Sequence, residues 1–165
     1  MQALPEIPLV IAAERKPVLD RTLRHLPDAV LDAMRRGLDR HDGRLRPGRL
    51  FSKGGGCAVG VMLRELLPSY RADRGLIGRL RPRAKSIVEE HPQLARSLPR
   101  LTHIELCFDV TTRICQEHDP SRGAAAWAQA VGRWFAGCLY TELERRRRLG
   151  TTCGVPQTGL LLLEA

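Results

Sequence analysis

Residues 121–150 read SRGAAAWAQAVGRWFAGCLYTELERRRRLG, and this stretch decides the fold class. Trp127, Val131, Trp134, Phe135, Cys138 and Leu139 recur at spacings of three and four, the period of one helix face. Ser121 is the expected N-cap. Gly150 closes the helix behind Arg145, Arg146, Arg147 and Arg148, cations that suit the negative end of a helix dipole. The small residues Gly123 to Ala126, Ala136 and Gly137 let a second helix approach closely, within the domain or across a homodimer.

Working towards the N-terminus, Thr102-His103-Ile104-Glu105 has the pattern of a capping box. The helix it opens carries Ile104, Cys107, Phe108, Thr111, Ile114 and Cys115 on one face and ends near His118-Asp119-Pro120. Shorter helical pieces are expected over 83–90 and 93–98. Cys57 to Leu67 is apolar almost throughout and stops at Pro68; its length favours a buried helix over a strand, with Gly60 serving close packing. Pro27 opens a helix that places Val30, Leu31, Met34 and Leu38 on one side, and His41-Asp42-Gly43 ends it. Pro17 is read as the first turn of a short helix reaching His25.

The expected architecture is therefore all-α: a compact single-domain bundle of about five to six helices with a basic, glycine-containing central loop. Residues 1–16, interrupted by Pro5 and Pro8, are expected as an N-terminal arm, 17–150 as the helical domain and 151–165 as a tail. The tail's Leu160 to Leu163 run must bury itself on the domain or on a partner, including a second copy of the chain.

The chain has 165 residues, 43% apolar and 4% aromatic. That suffices for one core and is too apolar for a disordered chain. No apolar run approaches the roughly 18–20 residues that cross a bilayer, so no membrane partner is expected. The early apolar run from Pro8 to Ala13 follows Glu6 and has no basic residue ahead of it, which makes a poor secretory leader. Cys57, Cys107, Cys115, Cys138 and Cys153 are odd in number and contain no CxxC pair. Neither a disulfide framework nor a zinc ribbon is indicated, and the expectation is a cytoplasmic protein without metal or cofactor.

The formal net charge is +9, from 27 basic and 18 acidic residues. Residues 41–101 carry 13 basic and 5 acidic side chains and so hold most of that excess. A coding bias accounts for arginine over lysine, but not for the scarcity of Asp and Glu in this one stretch. A concentrated positive field favours nucleic acid, nucleotides or an acidic protein surface. Binding of such an acidic partner through the basic 41–85 region, without catalysis, is the leading expectation. Arg44, Arg46, Arg49 and Lys53 would supply charge, and the backbone of Gly54, Gly55 and Gly56 would meet an anionic group. Phe51 and Tyr70 are too few for a base-stacking platform.

The competing expectation is a thiol-dependent enzyme. Cys57 follows Lys53-Gly54-Gly55-Gly56 at the start of an apolar helix, a position that lowers a thiol's pKa. His103 would be its base and Glu105 the orienter, with Asp109 a second choice. Established motifs fail here: Gly55 and Gly60 have P-loop spacing, but Val61 and Met62 stand where Lys and Ser or Thr belong. The plainer reading makes Cys57 a small core residue.

Overall fold

The computed structural model describes residues 6–40, 57–66 and 92–150. Five α-helices and one 3₁₀ turn follow in order, with no strand among the described residues: α1 (Leu9–Arg24), α2 (Asp28–Arg40), α3 (Ala58–Leu66), α4 (Pro92–His118), the turn Pro120–Arg122 and α5 (Ala124–Gly150). The all-α class follows directly. The glycine-containing loop, the helix expected over 83–90 and the tail from Thr151 onward lie outside the described residues.

Helix α1 starts earlier than the sequence pattern suggests. The extended segment expected through residue 16 gives way to helix at Leu9, and Pro17 sits inside α1 rather than at its start. Packing overrides local preference here, since Ile11, Leu19 and Leu23 on one face are buried. Proline removes the bond to the carbonyl four residues back. That carbonyl belongs to Ala13, which is exposed like Pro17 itself, so water can satisfy it. Ahead of the helix, Ile7 is 2% exposed and Glu6 pairs with Arg133 at 2.9 Å. The chain is thus tied to the bundle before α1 begins.

Helix α4 differs in the same way. Pro92 opens it and Pro99 lies within it, so the pieces expected over 93–98 and from Thr102 are one helix of 27 residues. Pro99 is exposed, and Leu94, Leu101, Ile104 and Phe108 on the other side are buried. Thr102 is therefore mid-helix and caps nothing.

The last helix keeps its expected stripe: Trp127, Val131, Phe135, Cys138 and Leu139 are buried, with Trp134 partly buried against the core. Its entry differs. Ser121 lies in the 3₁₀ turn ahead of it, whose N-cap Asp119 accepts from the Ser121 N–H at 3.1 Å, and Gly123 turns the chain into the helix with φ +79°, a value glycine adopts without cost. Trp127 Nε1 donates to the Asp119 carbonyl at 2.8 Å, and Arg122 lies 4.4 Å over the same ring.

Helix α3 is buried on nearly every side, from Ala58 through Leu63 and at Leu66. It packs mainly on α2 and also on α4, while α1 and α5 pack on α4 and on each other. The close approach falls at Gly37 of α2, where a Cβ would stand 2.7 Å from the Val61 carbonyl oxygen. Arg146 of α5 closes the opposite end. It donates to the carbonyls of Leu23 (3.0 Å), Arg24 (2.9 Å) and Leu26 (2.7 Å), satisfying the end of α1.

Candidate functional site

Cys57 immediately precedes α3 and is 3% exposed. Its Sγ accepts from the Gly60 N–H at 3.4 Å, the geometry of a side-chain N-cap. A second acceptor reaches the same helix end from α4: Glu105 Oε1 takes the Val59 N–H at 2.8 Å. Helix N-termini attract anions through unpaired N–H groups and the dipole, and here a carboxylate of the chain itself meets that demand. Of the three residues expected to act together, the fold brings Cys57 and Glu105 into one place.

The electrostatics of that place run against an activated thiol. Burial chiefly, and then the Glu105 carboxylate, push the Cys57 thiol well above its ordinary value. The Gly60 and Val59 N–H groups pull the other way and do not overcome them. His103 is exposed on α4. It stands two residues from Glu105, a spacing that sets side chains on different faces of a helix. The arrangement can hold a helix end and keep a proton on sulfur.

Arg44, Arg46, Arg49, Lys53, Gly54, Gly55 and Gly56 lie outside the described residues. Glu65, whose side chain is 5% exposed, pairs with Arg40 at 2.8 Å and with Arg36 at 3.8 Å, both on α2. Asp32 engages Arg35 and Arg36, Glu142 engages Arg145 and Arg146, and Glu144 engages Arg147 and Arg148. The acids of the bundle are largely committed to arginines of the bundle.

Helix α4 carries exposed basic side chains of a different kind, of which the sequence reading singled out only His103, as a base. Arg96, Arg100 and His103 are exposed and recur at spacings of four and three, within about 60° of the helix circumference. Arg113 is also exposed but lies about 100° round the helix from Arg96. None of the four has a side-chain hydrogen bond or ion pair among the described residues. The signal available in the sequence was that spacing, hidden by the expected break at Thr102.

Among the described residues no three His, Cys, Asp or Glu side chains come together as a metal site, and no helix is long and apolar enough to cross a membrane. No family model, no curated protein and no solved structure matches the chain.

Proposed function

We propose that the protein is a helical binding or regulatory module that engages an acidic partner through its basic 41–85 region. That region holds eleven basic and three acidic residues. The observation that carries the reading is the state of Glu65, one of those three acids: it is buried and turned onto Arg40 and Arg36 of α2. A carboxylate of the region is thus engaged by arginines outside it, which adds to the positive excess of the 41–85 sequence. An excess of this size attracts polyanions and makes their binding steeply salt-dependent. The buried thiol of Cys57, held protonated beside Glu105, favours this reading over nucleophilic catalysis.

The test is a salt titration of binding to sodium polyglutamate and to a DNA duplex, with Arg44, Arg46 and Arg49 changed together to Ala and, separately, Cys57→Ser. The triple variant is expected to lose at least about tenfold in affinity at 0.1 M salt, and Cys57→Ser to keep it. Absence of binding to both polyanions even at low salt overturns the proposal. So does rapid alkylation of Cys57 by iodoacetamide well below pH 8, which would restore the thiol enzyme.

A further inference from the structure

We infer that the exposed face of α4 bearing Arg96, Arg100 and His103 docks on the phosphate backbone of a nucleic-acid duplex. This rests on the reading of an acidic partner and names its class. Every arginine of α2 has a carboxylate partner, as does every arginine of α5. Those of α4 have none among the described residues, nor do Arg21 and Arg24. The last two stand in the final turn of α1, where the helix dipole accounts for cations. No such account covers Arg96 and Arg100, which lie in the N-terminal half of α4 with no acid in its first turn.

The chemistry of the face selects among acidic partners. Guanidinium groups are suited to paired hydrogen bonds with phosphate oxygens. Hot spots of protein interfaces combine arginine with tryptophan and tyrosine anchors, and α4 has neither of those rings; its one phenylalanine, Phe108, is 2% exposed and belongs to the core. Leu106, 58% exposed, is the large apolar group the face offers. Single strands are held by stacking on aromatic rings, which this face cannot provide. Cations without aromatics fit phosphates presented at fixed positions, as a duplex presents them. Arg96 to His103 spans about 10 Å of helix, enough to meet more than one phosphate.

The experiment uses the full chain and a fluorescein-labelled DNA duplex of about 20 base pairs, followed by anisotropy from 50 to 300 mM salt. Arg96→Ala with Arg100→Ala should lower the slope of log K against log salt by about two, because each lost phosphate contact removes about 0.9. Affinity at the middle of the range should fall about tenfold or more. Arg21→Ala with Arg24→Ala removes the same charge elsewhere and should leave most of that slope. All four positions are exposed, and a matching melting temperature confirms that each variant is folded. An unchanged slope in the α4 variant, an equal loss in the α1 variant, or single-stranded DNA binding as tightly as duplex each overturns the inference. If the wild type binds polyglutamate but no duplex, the inference falls and the proposed function stands. If it binds neither, both fall.

Discussion

At the first turn of a helix, backbone N–H groups and the dipole favour a thiolate, whereas burial and a neighbouring carboxylate favour the thiol. At Cys57 the second pair wins, and the same direction holds at Cys138, whose thiol is pushed up to about 11 mainly by burial. The sign for stability follows. Above about pH 9, the ordinary value, these thiols ionise in the unfolded chain while the folded chain keeps their protons. The unfolded state then binds fewer protons, so stability falls as pH rises. Urea midpoints should decline from pH 9 to 11, and less steeply in Cys57→Ala. Glu105→Gln keeps an acceptor for Val59 but removes the charge, so alkylation of Cys57 should begin at lower pH than in the wild type. Equal alkylation profiles would remove Glu105 from this role. Cys57 was legible as a residue opening a buried helix. Glu105 was legible only as half of a capping box, because its true partner lies 46 residues away and nothing local announces it.

Among the elements, periodicity identified those whose apolar stripe runs without interruption. Val30, Leu31, Met34 and Leu38 of α2 are all buried, and the stripe of α5 is the one its spacing indicates. The misread elements both contain proline. Pro17 and Pro99 lie on exposed sides where water replaces the lost partner, so burial of the other side outweighs a local penalty of about 3 kcal/mol. A close approach that the sequence did not signal falls at Gly37, where backbone atoms of α3 block a Cβ. Gly37→Ala should therefore destabilise by about 1–3 kcal/mol, since the helix backbones must separate. Gly137→Ala has open space around it and should instead stabilise by about 0.5–1 kcal/mol through helix propensity. Denaturation of the two variants side by side checks both, and a neutral Gly37→Ala would mean that α2 and α3 are not held at this distance.

At the scale of the whole molecule, the run from Arg145 to Arg148 shows how little a charge pattern says about load. In sequence the four arginines are alike and suit a helix end. In the fold, Arg147 is 73% exposed and pairs with Glu144 at the surface, while Arg146 is 19% exposed and bonds the carbonyl end of α1, Asp28 of α2 and Glu142 of its own helix. One side chain thus joins three helices, and it holds beside it a Glu142 carboxylate kept below its ordinary value by Arg145 and Arg146. Arg146→Ala should cost about 3 kcal/mol, because the part-buried carbonyls of Leu23 and Leu26 lose their donor and the Glu142 carboxylate keeps only Arg145. At about 2–4 °C per kcal/mol for a chain of this size, the melting temperature should drop by roughly 6–12 °C. Arg147→Ala should stay within about 0.5 kcal/mol. The pH dependence separates the two further. A depressed carboxylate contributes stability above its unfolded value of about 4.5, and that contribution is lost as pH falls through the folded value. The gap between wild type and Arg146→Ala should consequently narrow in acid, while Arg147→Ala, whose exposed pair with Glu144 is screened by solvent, stays close to the wild type. A gap that stays constant down to pH 2 would assign the whole effect to the carbonyl bonds of α1 and none to Glu142.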